Sequence, residues 1–165
     1  MRRASIIVLA SAALLIAGCG YRPLYGTSVD SAGVSASLSS VAIPEANDRL
    51  GQLIRNDLVS TMGSGSGAER YTLIVKPTLK KIGIIKQPQP SVTRQAINLS
   101  VSYDLLDRGS GSTIHSGKTF SQASYDVVRQ PFADMQAETN ATERAAHEVA
   151  ADIRTRLAAY FSTQR

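Results

Sequence analysis

The segment 97–105 is the feature that most constrains how this chain folds. Five apolar residues there alternate with four polar ones, and the sequence reads Ile97, Asn98, Leu99, Ser100, Val101, Ser102, Tyr103, Asp104 and Leu105. A period of two predicts a β-strand with one dry face and one wet face. A sheet built on this strand must therefore have its dry face covered by other elements.

Two amphipathic helices are predicted to supply that cover. Residues 47–62 and 133–161 both place apolar side chains at helical spacing. The stripes consist of Leu50, Leu53, Ile54, Leu58 and Met62 in the first helix and Val149, Ile153, Leu157 and Phe161 in the second. A glycine- and serine-rich stretch at 63–67 ends the first helix, and Pro131 precedes the second.

Three more strands complete the predicted sheet. They lie at 41–43, at 71–76 and at about 113–128, with a glycine-containing hairpin turn at 107–111. Pro77 predicts an edge position or a bulge in the second strand. We therefore expect an α+β fold, a two-layer sandwich of two helices on one face of a four-stranded, mostly antiparallel sheet, in the order β-α-β-β-β-α.

The N-terminus has the layout of a secretory signal. Arg2 and Arg3 precede an uncharged apolar run at 6–17, which is too short to span a bilayer, and small residues then lead to Cys19. This pattern is typical of a lipoprotein processing site. It predicts a signal peptide at 1–18, a lipidated Cys19, an extended tether at 19–40 and a single domain at 41–165. Since Cys19 is the only cysteine, no disulfide can form within the chain.

Lipidation would anchor the protein without a membrane span. Gly20 stands where inner-membrane retention usually has aspartate, which favours the outer membrane, on its periplasmic side. Two of the basic residues behind the net charge of +5 belong to the predicted signal peptide. The remaining modest positive charge is compatible with a solvated surface or with an anionic partner such as lipopolysaccharide. The compartment argues against nucleic acid as a partner.

Signals of catalysis or metal binding are weak in this sequence. His115 and His147 lie in different predicted elements, and no spacing of carboxylates suggests a metal site. The segment 116–119 looks like the end of a phosphate-binding loop, but the glycine needed before it is replaced by Ser112, and it lies inside a strand. We therefore expect a protein that is not an enzyme and has no metal or cofactor. A lipid-anchored hydrolase would have only unpaired serines in its favour.

Three basic residues are predicted to meet at one end of the sheet. If the second and third strands form a hairpin, Lys86 and Arg94 lie at its tip, and the end of the fourth strand returns Arg129 to the same place. Such a cluster can hold phosphates or carboxylates by charge-assisted hydrogen bonds. The alternative is that these residues are solubilising charges on an exposed hairpin.

The segment Cys19-Gly20-Tyr21-Arg22-Pro23-Leu24-Tyr25 resembles the mature start of the lipopolysaccharide-assembly lipoprotein family LptE. The order of predicted elements agrees with that family along the whole chain. The resemblance implies a protein that helps the outer-membrane β-barrel LptD to assemble, plugs it and takes part in lipopolysaccharide transport to the cell surface.

The resemblance also implies partners and contact residues. The partners would be the LptD barrel, lipopolysaccharide and, through the lipid anchor, the membrane. Family contacts to lipopolysaccharide are basic residues near one end of the sheet, which Arg94 matches best and Lys86 and Arg129 less well. The proline-containing loop at 83–92 could enter the barrel lumen. A second interpretation is a periplasm-facing auxiliary or binding lipoprotein of a lipid transporter complex.

Overall fold

The computed structural model describes residues 29–65, 68–84 and 93–164. The predicted signal peptide, Cys19, the segment at 20–25 and Lys86 with its neighbouring prolines lie outside the described residues. In chain order the elements are α1 (Val29–Ser39), β1 (Val41–Ala42), α2 (Arg49–Met62), β2 (Tyr71–Ile84), β3 (Thr93–Asp107), β4 (Thr113–Val127) and α3 (Pro131–Thr163).

The four strands form one mixed sheet in the order β1-β2-β3-β4. β1 runs parallel to β2 over two residues, whereas β2, β3 and β4 are antiparallel to one another. The predicted order of strands and helices is confirmed, but the sheet is mixed rather than mostly antiparallel. The reason is that α2 carries the chain back between β1 and β2, and a crossover of this kind joins parallel strands.

The register fixes the two ends of the sheet. Tyr71 pairs with Asp107 at one end, called here the Asp107 end, where a tight turn leads into β4. At the other end, called the Arg94 end, Arg94 pairs with both Ile84 and Asp126. The end of β2, the start of β3 and the end of β4 therefore lie together at the Arg94 end.

The alternation at 97–105 has the predicted consequence. The five odd-numbered apolar side chains of this segment are at most 1% exposed, and they share one core with the stripe of α3 and with Ile54 and Leu58 of α2. The two predicted helices thus pack on one face of the sheet, as expected. Helix α2 begins two residues later than predicted, at Arg49 after its Asp48 cap, and α3 begins two residues earlier, because Pro131 is its first residue.

Helix α1 is a correction to the sequence analysis. Residues 29–39 were expected to belong to an extended tether, and that conformation is wrong for them. Val34 and Leu38, one helical turn apart, are buried in the same core as the sheet and the other helices. The helix is rich in serine, alanine and glycine, so its two buried aliphatic residues give only a weak periodic signal.

Three residues, Asp48, Gly63 and Pro77, have the positions that their backbone and capping preferences favour. The Asp48 carboxylate caps α2 by accepting a hydrogen bond from the Gly51 amide at 3.0 Å. Gly63 ends the helix with a φ of 68°, which is easily reached without a side chain. Pro77 pairs with Val101, well past the two residues of β2 that β1 covers, so the predicted edge position is confirmed. None of the described helices is long and apolar enough to cross a membrane.

Candidate functional site: the open face of the sheet

The three helices leave the opposite side of the long strands uncovered, and we call this side the open face. Antiparallel pairing aligns the residues of this face in rows, with one residue from each of β2, β3 and β4. The residues that form it include Ile74, Lys76, Thr78, Lys80 and Ile82 of β2, Arg94, Asn98, Ser100, Ser102 and Asp104 of β3, and Ser116, Lys118, Phe120, Gln122 and Asp126 of β4. The polar side of the alternating segment therefore lies on the open face, as the sequence predicts.

Of the four basic side chains that the described strands place on the open face, two have a carboxylate partner. Lys76 Nζ lies 3.1 Å from Asp104 Oδ2, and Arg94 Nε lies 3.0 Å from Asp126 Oδ1. Within the described part of the chain, neither Lys80 nor Lys118 has a carboxylate within 4.0 Å.

The charge of the open face is therefore uneven. Its acidic residues are already engaged by Lys76 and Arg94. The excess positive charge is carried by Lys80 of β2 and Lys118 of β4, which lie on either side of β3.

The centre of the open face is a shallow depression of about 480 Å³. Three rows of paired residues cross it: Lys80, Asn98 and Gln122, then Thr78, Ser100 and Phe120, then Lys76, Ser102 and Lys118. Phe120 is 80% exposed in the middle row. The depression thus combines cationic, hydroxyl and amide groups with one aromatic ring.

The side chains of this depression are suited to binding a polar or negatively charged ligand. Lysine offers a compact positive charge on a flexible stem, and serine, threonine and asparagine can both donate and accept hydrogen bonds. No group of three or more histidine, cysteine or acidic residues in the described ranges could hold a metal ion.

Both histidines have contacts elsewhere that bind the elements together. His147 Nδ1 lies 3.0 Å from Asp57 Oδ2, so it joins α3 to α2. The ring of His115 stacks on Tyr160 with centroids 4.6 Å apart. These contacts link α3 to α2 through His147 and α3 to β4 through His115.

Two tyrosines with raised pKa values, Tyr103 and Tyr125, lie on the covered face. Burial is the main cause that raises the pKa of both Tyr103 and Tyr125. The Tyr125 hydroxyl donates a hydrogen bond to Gln95 Oε1 at 2.7 Å, which links neighbouring strands. These tyrosines therefore serve the packing beneath the helices and not a site on the open face.

Two of the three residues predicted to contact lipopolysaccharide, Arg94 and Arg129, lie at the Arg94 end. Arg94 is on the open face and pairs with Asp126, and Arg129 is exposed two residues beyond the end of β4. The structure brings these two arginines to the same end of the sheet, as the hairpin argument expects. Lys86 and Cys19 lie outside the described residues, so their predicted roles stay predictions.

The group formed by Lys80, Lys118 and Phe120 is not evident from the sequence alone. These residues are far apart in sequence, and only the register between three strands brings them together. One signal was available, because Phe120 has the opposite parity to the buried Ala123 and Tyr125 of β4. That parity places its ring on the open face.

The sequence matches the profile of a known protein family. The sequence profile of the LptE family, described as lipopolysaccharide-assembly, matches residues 37–157, which is most of the chain. No curated protein matches the sequence closely enough to count as a relative.

Solved structures share the same fold. A lipoprotein from Caulobacter crescentus CB15 is similar with a TM-score of 0.68 and 29% identity, over 81% of this chain and 98% of that one. A minor lipoprotein from Acinetobacter baumannii is 18% identical, with a TM-score of 0.56 over 73% of this chain and 89% of that one. The rare lipoprotein B from Shewanella oneidensis is 14% identical, with a TM-score of 0.55 over 73% and 92%. From the extent of the profile match, this chain belongs to the LptE family of lipopolysaccharide-assembly proteins.

Proposed function

We propose that this protein is an outer-membrane lipoprotein that assists assembly of an LptD-type β-barrel, plugs it and takes part in lipopolysaccharide transport. The observation that carries the proposal is the family match over residues 37–157. Membership of a lipopolysaccharide-assembly family supports a role in the cell envelope without chemical catalysis. The more specific location and partner are supported by the anchor sequence at Cys19 and by the polar open face.

The anchor and the open face suit a protein held inside a barrel. Cys19 follows a signal-like segment, and solved structures with this fold are described as lipoproteins. Lipid chains on Cys19 would hold the domain at the periplasmic side of the outer membrane. The interior of a large barrel is polar and wet, so a plug benefits from a polar face such as that of β3.

Arg94, Arg129 and Lys86 are the proposed contacts to lipopolysaccharide phosphates at the Arg94 end. Arg94 uses Nε toward Asp126, and a guanidinium has five N–H donors, so others remain available to a phosphate. Arg129 is placed at the same end by the pairing of Thr93 with Val127.

A depletion experiment tests the proposed function. Loss of the protein should lower the amount of correctly folded barrel and make the outer membrane permeable to large antibiotics. The wild-type gene should restore both, whereas Cys19→Ala should restore them poorly because the unlipidated chain is not held at the membrane. Mass spectrometry of proteins captured from outer membranes in mild detergent should identify the barrel.

Two results would contradict the proposal. One is a normal level of folded barrel with normal surface lipopolysaccharide after depletion. The other is capture of an inner-membrane transporter in place of a barrel, which would favour an auxiliary lipoprotein of a lipid transporter complex.

A further inference from the structure

We propose that the centre of the open face binds the phosphorylated sugar headgroup of a glycolipid. The site consists of Lys76, Lys80, Lys118 and Phe120, together called the lysine–phenylalanine patch. The inference rests on the proposed function for its choice of glycolipid, and it names a site distinct from the basic residues at the Arg94 end.

The register sets the spacing of the three lysines. Lys76 and Lys118 flank Ser102 in one row, and since neighbouring strands lie about 4.8 Å apart, their backbones are separated by about 10 Å. Lys80 is four residues along β2 from Lys76, which is about 14 Å in a strand. Flexible four-carbon stems allow the three ammonium groups to converge above the middle row.

The charges favour a ligand that carries more than one phosphate. Lysine binds phosphate as a point charge, and a charge-assisted hydrogen bond is stronger than a neutral one. Lys80 and Lys118 have no carboxylate partner among the described residues, so a phosphate would displace only water there. Lys76 keeps Asp104 at 3.1 Å and can add a further donor.

The exposed ring favours a sugar beside those phosphates. Single exposed apolar side chains are common on protein surfaces, but Phe120 lines the same depression as the three lysines. Sites for small molecules combine apolar or aromatic surface with a few placed polar groups. Thr78, Asn98 and Ser100 can supply hydrogen bonds to sugar hydroxyls next to the ring.

The patch is separate from the Arg94 end. Arg94 lies four residues before Asn98 on β3, about 14 Å along the strand from the nearest row of the patch. Its ion-pair partner, Asp126, is on the same distant row. Variants of the two sites can therefore be tested independently.

The first test measures binding of lipopolysaccharide to the full mature lipoprotein in dodecyl maltoside. The probes are purified rough lipopolysaccharide and the same material after enzymatic dephosphorylation. The double variant Lys80→Gln/Lys118→Gln should bind the phosphorylated probe about tenfold more weakly than wild type. The dephosphorylated probe should bind wild type and the double variant with similar, lower affinity, and high salt should reduce the difference.

Lys81→Gln is the control for charge. Lys81 is next to Lys80 but lies on the opposite side of β2, where it forms an ion pair with Glu138. This variant loses one lysine from the neighbouring position without touching the patch. It should keep wild-type affinity, and circular dichroism should show that all variants are folded.

The second test concerns the ring. Phe120→Ala should weaken binding of both probes by about threefold, because stacking on the sugar does not depend on phosphate. Phe132→Ala is the matched control, since Phe132 is 72% exposed at the start of α3, away from the patch. It should leave binding unchanged.

The outcomes separate this inference from the proposed function. Wild-type affinity in the folded double variant, with loss of binding in Arg94→Gln, would overturn the patch and leave the proposed function intact. No binding of rough lipopolysaccharide to wild type would also overturn the patch, while capture of the barrel would still decide the proposed function. Loss of barrel capture in the double variant with unchanged lipopolysaccharide affinity would overturn the inference by assigning the patch to the barrel wall.

Discussion

At the scale of single residues, Gly117 leaves the space that the ring of Tyr103 occupies, and Tyr103 is the largest fully buried side chain among the described residues. Gly117 of β4 pairs with Tyr103 of β3 on the covered face. A Cβ atom added at Gly117 would lie 2.4 Å from Tyr103 Oη and 2.6 Å from its Cζ, well inside van der Waals contact. Glycine is therefore required here by the space that the tyrosine ring occupies.

Gly117→Ala should lower the free energy of unfolding by about 1–3 kcal/mol, because the ring and the strand must shift apart. Urea denaturation of the two proteins measures the change. Gly83→Ala is the matched control, since nothing lies within 4 Å of its added Cβ atom. Equal stabilities of both variants and the wild type would contradict the steric argument.

The turn between β3 and β4 depends on one carboxylate. Asp107 Oδ1 accepts hydrogen bonds from the Ser110 amide at 2.9 Å, from the Gly109 amide at 2.9 Å and from the Ser110 hydroxyl at 3.2 Å. These bonds, above all the one from the Ser110 amide, hold the pKa of Asp107 below its ordinary value. The ionised side chain thus stabilises the turn that sets the β3–β4 register.

The pH dependence of stability follows from the direction of that shift. A carboxyl whose pKa is lower in the folded state stabilises fully above its unfolded pKa of about 3.9, and this contribution is lost as the pH falls through the folded pKa. Asp107→Asn should therefore be less stable than wild type at neutral pH, and the gap should shrink below about pH 4. Urea denaturation across this pH range measures the gap, and a gap that stays constant into strong acid would contradict the assignment.

Among the elements, α1 joins the core through Val34 and Leu38, the buried aliphatic side chains in the part of the helix whose burial is described. It packs against α3, α2 and β1, and Leu38 is 3% exposed. The helix therefore belongs to the folded domain, although its composition is that of a linker.

Leu38→Ala should lower the free energy of unfolding by about 2–5 kcal/mol, because it leaves a cavity beneath α1. Thermal and urea denaturation measure this loss. Met135→Ala is the control, since Met135 is 56% exposed and its truncation opens no cavity. A loss in Leu38→Ala no larger than in the control would mean that α1 does not contribute to the core.

The elements differ in how far the sequence could predict them. β3 was predictable because nine residues alternate without interruption, and α3 because its stripe repeats over four turns. Helix α1 was not, since serine, alanine and glycine give no clear period and its burial depends on α3. The parallel pairing of β1 was also missed, because two residues carry no directional signal.

The candidate site, too, could be predicted from the sequence only in part. Arg94 and Arg129 could be placed at one end by counting strands, since each strand reverses the chain. The lysine–phenylalanine patch needs the exact pairing of Ser102 with Lys76 and Lys118, and a shift of one residue would turn the side chains of a strand to the other face. Register depends on packing across the whole sheet, which local sequence does not contain.

At the scale of the molecule, the described structure has two sides with different tasks. The helices bury the aliphatic side of the sheet and provide the stability of the domain. The other side carries polar and basic groups on regular strands, where backbone pairing fixes their spacing. Binding groups on paired strands are held more firmly than groups on loops, so this side is suited to recognition without large rearrangement.

The position of α3 after the three long strands has a consequence for biogenesis. β2, β3 and β4 are neighbours both in sequence and in the sheet, so hairpin pairing can join them at a small entropic cost of loop closure. The helix that covers much of β3 and β4, Pro131–Thr163, comes after all of them. In a chain that is exported N-terminus first, the apolar side of the newly paired strands β2, β3 and β4 stays exposed until Pro131–Thr163 has followed. Chaperones have that interval in which to shield the apolar side.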